Sequence, residues 1–138
     1  MTVARDLMTP DPQCVKEDQT LVEAARLLRD LDVGAMPICG NDDRLKGMLT
    51  DRDIVVKCIA EGGDPTTATA GSLAEGPPLT IGADVDIREA LEVMQDHQVR
   101  RLPVIDGHDL VGIISQADIA RELSATQTGE TVAEISED

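Results

Sequence analysis

The chain has 138 residues, enough for one compact domain or two closely joined halves. Its formal net charge of −15 repels nucleic acid and anionic membrane surfaces at long range, and no basic stripe offsets it, so neither is an expected partner. Phe, Tyr and Trp are absent, so a hydrophobic fraction of 41% has to build an aliphatic core with Met filling its gaps.

Residues 4–9 predict a short helical turn, loosened by Pro10 and Pro12. A short strand follows at 13–15. Thr20-Leu-Val-Glu23 has the spacing of a capping box, and the helix it opens runs to Leu31 with Leu21, Ala24, Ala25, Leu28 and Leu31 on one face. Gly34 is the expected stop. Strands at 36–39 and 45–49 flank the turn residues Gly40 to Asp43, the second strand antiparallel to the first. Thr50-Asp-Arg-Asp53 opens another helix, through Ile59. Residues 61–69 read as a polar linker, in which Gly62-Gly63 lacks the strand, helix and lysine of a phosphate loop.

The same order then recurs. Ala4, Leu7, Val15, Leu21, Ala24, Met36 and Pro37 are answered 66 residues later by Ala70, Leu73, Ile81, Ile87, Ala90, Leu102 and Pro103. One residue drops out of a loop, and at a spacing of 65 Gly47, Thr50, Asp53 and Ile54 are answered by Gly112, Ser115, Asp118 and Ile119. Asp86-Ile-Arg-Glu89 stands for the first capping box. The helix after it buries Ile87, Ala90, Leu91 and Met94, and strands follow at 102–105 and 110–114. Ser115-Gln-Ala-Asp118 opens the last helix. The domains read as repeat 1 at 1–60, linker at 61–69, repeat 2 at 70–123 and a polar, acidic, frayed tail at 124–138. Each repeat is β-α-β-β-α, an α/β (α+β) unit with a right-handed crossover. A copied unit implies a pseudo-twofold axis with a pair of related clefts.

These residues resemble the tandem CBS-domain (Bateman module) family. Thr20-Leu21 with Ala24-Ala25, the Met36-Pro37-Ile38 strand and Gly47-Met-Leu-Thr50-Asp-Arg-Asp53-Ile54 carry the likeness in the first copy. Ile87 with Ala90-Leu91, Arg101-Leu102-Pro103-Val104-Ile105 and Gly112-Ile-Ile-Ser115-Gln-Ala-Asp118-Ile119 carry it in the second. The likeness runs from residue 4 to about 123 and is strongest to stand-alone bacterial members with two repeats. It implies a regulatory module, not an enzyme. Its ligands would be adenosine-containing: AMP, ADP, ATP, S-adenosylmethionine or a dinucleotide such as NAD. None is needed as a cofactor. It also implies that Thr50 with Asp53, and Ser115 with Asp118, contact ribose, and that a basic residue at the place of Arg100 or Arg101 reaches phosphate. Arg52 is a further phosphate candidate. A bound ligand would bias the angle between the repeats and so signal to an unknown downstream protein.

Plainer readings stand beside these. Thr50-x-x-Asp53 and Ser115-x-x-Asp118 have the spacing of helix caps. Arg100, Arg101 and Arg52 are also ordinary cations in an acidic protein. Their first-copy counterparts, Gly34 and Ala35 for Arg100 and Arg101, predict tighter phosphate binding in the second copy.

The three cysteines are an odd number without a CxxC pair, which argues against a disulfide framework or a zinc site. Cys14 and Cys39 could still bridge if their strands are parallel neighbours. An intracellular setting favours two buried free thiols, and Cys58 reads as packing. His97 and His108 read as solvated, and no metal is expected. No nucleophile or general base with an orienting partner is visible. The N-terminus shows no charged-then-apolar leader and the chain no membrane-length apolar run, so the expected location is the cytoplasm. The resemblance also implies a homodimer, for which the apolar residues of Ile54-Val-Val-Lys-Cys-Ile59, with Ile119 and Leu123, are the expected interface. The competing function is a stress- or hypoxia-associated structural or interaction protein with empty clefts, and a third reading is a thiol switch through Cys14 and Cys39.

Overall fold

The computed structural model describes residues 1–74 and 78–125; of the acidic tail expected from Ser124, everything after Ala125 lies outside the described residues. In chain order the elements are α1 (Ala4–Leu7), β1 (Thr9–Pro10), β2 (Val15–Lys16), α2 (Leu21–Leu31), β3 (Ala35–Cys39), β4 (Leu45–Thr50) and α3 (Asp51–Asp53). A π-helical stretch, Ile54–Ile59, continues α3, and a 3-10 turn covers Ala70–Leu73. Then come β5 (Ile81–Gly82), α4 (Ile87–His97), β6 (Arg101–Asp106), β7 (Asp109–Ser115) and a last helix, α5, over 116–125. The β-α-β-β-α order therefore occurs twice.

Compact units and sequence repeats cut the chain at different places. Of the described residues, one unit comprises 11–74, 78–79 and 108–110; the other comprises 1–10, 80–107 and 111–125. In the first, the sheet order is β2-β3-β4, with β2 parallel and β4 antiparallel to β3. Parallel neighbours need a crossover, and α2 supplies it. In the other unit the order is β1-β7-β6-β5, with β5 parallel to β6 across α4. Here β1, from the start of the chain, pairs antiparallel with β7. The 3-10 turn, from the start of the second copy, joins the first unit: Ala70 N–H donates to Gln19 O and Gly71 N–H to Glu17 O, at 2.8 and 2.9 Å.

Both long helices are capped by side chains. Thr20 Oγ1 accepts from Glu23 N–H at 3.2 Å, and Asp86 Oδ1 accepts from Arg88 N–H at 2.9 Å, one residue earlier than the capping-box spacing predicts. The linker does more than connect, because Ala68 O and Pro65 O accept the N–H groups of Leu21 and Val22, orphan donors of the first turn of α2. The helices close without glycine. Asp32 and Gln98, both at φ 54°, take the left-handed position expected of Gly34. Val33 N–H then reaches back to Leu28 O and Val99 N–H to Met94 O, the long bond of a Schellman ending. Asp and Gln tolerate this conformation because the closure satisfies carbonyls that would otherwise be orphaned.

The buried face of α2 is Leu21, Ala24 and Leu28, while Ala25 and Leu31 turn outward; α4 buries Ile87, Ala90 and Met94, with Leu91 half-buried. In the first unit these side chains pack with Val15, Met36, Ile38, Leu49, Ile54, Cys58 and Ala70. Each large aliphatic side chain so buried contributes about 1.5–3 kcal/mol. The helix after Asp53 widens to five-residue bonds, Ala60 N–H to Val55 O and Gly63 N–H to Cys58 O. It turns Ile54 and Cys58 into the core and leaves Val55, Val56 and Ile59 exposed.

Gly47 and Gly112 hold the same place in the two copies but differently close quarters. A Cβ on Gly112 would lie 2.9 Å from Thr9 O, 2.7 Å from Met8 Cγ, and against Met8 Sδ, whereas on Gly47 its nearest neighbour is Ala74 Cβ at 3.3 Å. Gly112→Ala should therefore push β1 off β7 and cost about 1–3 kcal/mol. Gly47→Ala should cost clearly less. Melting followed by circular dichroism decides, and equal losses would contradict this reading of the strand contact.

Candidate functional site

Each β-hairpin runs directly into a helix, and the junction carries a hydroxyl and a carboxylate three residues apart. In the first, Thr50 Oγ1 accepts from Asp53 N–H and Asp53 Oδ2 accepts from Thr50 N–H, both at 3.0 Å. In the second, Ser115 Oγ accepts from Asp118 N–H at 3.1 Å. The cap reading is thus realised in both copies. It leaves chemistry over: the hydroxyl hydrogen is not used by a cap acceptor, and a carboxylate has about four lone-pair sites. A diol could bond to the same pair without undoing the cap.

Each aspartate also meets a cation one turn on. Lys57 Nζ lies 3.3 Å from Asp53 Oδ1, and Arg121 Nη2 bonds Asp118 Oδ1. The carboxylates are about a fifth and a quarter exposed, at 21% and 25%. They are therefore reachable, and their ion pairs are partly screened by solvent. The i,i+4 and i,i+3 spacings could have disclosed Lys57 and Arg121 in the sequence.

A second feature ties a strand entry to each junction. Asp51 N–H donates to Gly34 O at 3.0 Å, and Gln116 N–H donates to Arg100 O at 2.7 Å. Arg100 is thereby fixed beside the Ser115–Asp118 turn, with Arg101 next to it as the exposed first residue of β6. Arg52 is exposed, its N–H held by Asp51 Oδ1 at 2.7 Å. Register places Ala35 opposite Thr50.

Cys14 and Cys39 come together at the other end of β3. Because β2 and β3 are parallel neighbours, with Lys16 opposite Cys39, the two Cα atoms are 5.7 Å apart and the sulfurs are joined as a disulfide. The structure thus departs from the free-thiol expectation for this pair. Cys58 is free and buried. The dimer-interface expectation also changes. Ile54, Cys58 and Ile119 belong to the protein core, so Val55, Val56 and Ile59 are the exposed part of that segment, at 55, 43 and 55%.

Among the described residues no group of three or more His, Cys, Asp and Glu side chains is set to hold a metal ion. Among them, too, no helix is long and apolar enough to cross a membrane.

Comparison with known proteins places both copies. The CBS domain model matches residues 4–59 and again residues 70–125. Hypoxic response protein 1 of Mycobacterium tuberculosis is 58% identical over 123 residues, 89% of this chain and 86% of that protein. The crystal structure of Hypoxic Response Protein I with two coordinated zinc ions superposes with a TM-score of 0.82 at 57% identity, covering 87% of this chain and 98% of that one. CBSX2 in complex with AMP (TM-score 0.78, 23% identity, 92% and 99% covered) shares the fold. So does the CBS domain pair of protein MJ0100 in complex with 5′-methylthioadenosine and S-adenosylmethionine (TM-score 0.79, 23% identity, 91% and 98% covered).

The bridge between β2 and β3 has a direct check. Denatured without reductant, the chain should show one reactive thiol, Cys58, and after reduction all three. Reduction should also lower stability by about 3 kcal/mol, the size expected for releasing a loop of this kind. Three thiols before reduction would remove the bridge.

Proposed function

This chain belongs to the CBS-domain family, with two domains in tandem, and we propose that it is a non-catalytic intracellular sensor of adenosine-containing ligands. Thr50 with Asp53 and Ser115 with Asp118 would hold the ribose. Arg100, Arg101 and Arg52 would meet phosphate where the ligand has one. The observation that carries this is the doubled strand-to-helix junction: both hydroxyls accept from backbone N–H groups, the Asp53 carboxylate is held by Thr50 N–H and the Asp118 carboxylate by Arg121, and all still have unused donor or acceptor capacity. Preorganised polar groups bind with less ordering cost than mobile ones.

The ligands in the CBSX2 and MJ0100 structures support the class. All of them present an adenosine ribose, the feature that a hydroxyl–carboxylate pair can recognise. Signalling follows only if the ligand has different affinities for two shapes of the chain. The proposed partner of Val55, Val56 and Ile59 is a second copy of the chain, because three exposed aliphatic side chains on one short helix invite cover. An unknown downstream protein would then read the liganded dimer.

A second reading has its own support. The caps already account for the side chains of Thr50, Asp53 and Ser115 and an ion pair for that of Asp118, and the relative with 58% identity is named for a hypoxic response. On that reading the chain is a stress-associated structural or interaction protein whose motifs only fold it, with the Cys14–Cys39 bridge as stiffening or as a thiol switch.

Ligand-dependent stability separates the two. AMP, ADP, ATP, S-adenosylmethionine and NAD, with a non-adenine control, should be tested by calorimetry or circular dichroism, since there is no aromatic residue for intrinsic fluorescence. A ligand at about 100 times its Kd raises stability by about 2.7 kcal/mol. Loss of that rise in Asp53→Ala or Asp118→Ala is expected, and silence across the panel in folded protein would favour the structural reading. For the dimer, Val55→Asp should halve the mass found by sedimentation, and an unchanged mass would reject this interface.

A further inference from the structure

The two motifs share their ribose-facing chemistry but not their surroundings, and the difference is one of charge. Residues 34 and 100 hold the same place in the two copies, each with its carbonyl bonded to the N–H of the residue that follows the motif hydroxyl. Those following residues are Asp51 and Gln116. The first motif is thus flanked by Gly34 and Asp51, and the second by Arg100 and Gln116.

The carboxylate of Asp51 leans over the bare glycine. A Cβ built on Gly34 would lie 3.7 Å from Asp51 Oδ2 and 3.9 Å from Oδ1. Where the side chain of Arg100 leaves the backbone in one copy, the other copy therefore has an anion. Arg101 adds a cation beside the second motif, and its counterpart is Ala35. The motif carboxylates do not create the difference, since each has one cationic partner, Lys57 or Arg121. Arg52, opposite Ala117, and Glu122, opposite Lys57, contribute with the other sign.

A ribose held by hydroxyl and carboxylate of one turn brings its 5′ substituent within a few ångströms of residues bonded to that turn. Opposite charges at that range in a partly exposed site change affinity by about tenfold. We propose that the two motifs select ligands by the charge of the 5′ substituent. The Ser115–Asp118 motif takes an adenosyl ligand with an anionic 5′ group. The Thr50–Asp53 motif takes one whose 5′ group is neutral or cationic, and Asp51 is the residue that sets the choice. This rests on the reading that both motifs hold ribose.

The test isolates each motif in the full chain. Asp53→Ala leaves the second motif and Asp118→Ala leaves the first. Asp53→Asn and Asp118→Asn replace them should alanine unfold the chain. Titration calorimetry with AMP, 5′-methylthioadenosine and S-adenosylmethionine should show the Asp53→Ala chain preferring AMP by about tenfold, and the Asp118→Ala chain preferring the other two. Adding Asp51→Gln to the Asp118→Ala chain should tighten AMP by about tenfold and leave 5′-methylthioadenosine within about twofold. Adding Gln116→Asp to the Asp53→Ala chain should weaken AMP by a similar factor. The same preference in both single-motif chains, or AMP affinity indifferent to Asp51→Gln, overturns the proposal while leaving ribose binding intact. If none of the three compounds binds the unaltered chain, ribose binding itself fails and the proposal with it.

Discussion

A sheet of three or four short strands buries its apolar face only if side chains of matching width lie on it. With no Phe, Tyr or Trp in the chain, that cover is built from Leu, Ile, Val, Met and Ala. Small branched side chains fill space only at close approach. The fully buried Ala24 and Ala90 on the inner faces of α2 and α4 permit it. Close packing leaves little room for error: Gly112 lies against Met8 and Thr9, and Gly71 against the backbone of Glu17. Three of the four marginal strands, β1, β2 and β5, are only two residues long, so the segments that lead into each copy are needed to complete a unit. Residues 9–10 finish one sheet, and residues 70–73 bond to the loop after β2 in the other unit.

This explains how legible the fold was. Hydrophobic periodicity and the repeat disclosed both β-α-β-β-α copies, since Leu21, Ala24 and Leu28 or Ile87, Ala90 and Met94 face inward for reasons local to their helices. They could not disclose that residues 1–10 and 70–74 lie in the unit opposite to their own copy, because two-residue strands carry no period. Helix endings were misjudged at Gly34 for a related reason. Propensity favours glycine at a left-handed position, but the back-bonds from Val33 and Val99 reward any residue there that tolerates the conformation. Likewise a polar, Gly-rich stretch reads as linker, while its carbonyls at 65 and 68 serve the start of α2.

The site was legible where side-chain spacing alone decides geometry. Thr50 with Asp53 and Ser115 with Asp118 meet because residues three apart meet at any helix start. The bridge from Cys14 to Cys39 depended on strand order, which spacing does not contain, and compartment statistics pointed the other way. The segment expected to be apolar on its outside is so only in part, for a geometric reason. Its apolar residues do not share a face: the wide turns after Asp53 split them between the core and solvent.

The caps bear on how such a motif should be read. A hydroxyl bonded to a backbone N–H group, as in both copies, and a carboxylate so bonded, as at Asp53, would persist in a folding unit whether or not a ligand ever arrived, because losing a cap costs about 1 kcal/mol by itself. The motif alone therefore says little about occupancy, and the informative positions are those that folding leaves free. The bonds from Asp51 to Gly34 and from Gln116 to Arg100 use only backbone atoms, and nearly any residue could make them. Folding does not require an acid at 51, a glycine at 34 or an arginine at 100. Two junctions that share the hydroxyl cap the backbone needs, and differ in charge at positions where it needs no side chain, have the pattern expected of sites adapted to different ligands on a shared scaffold.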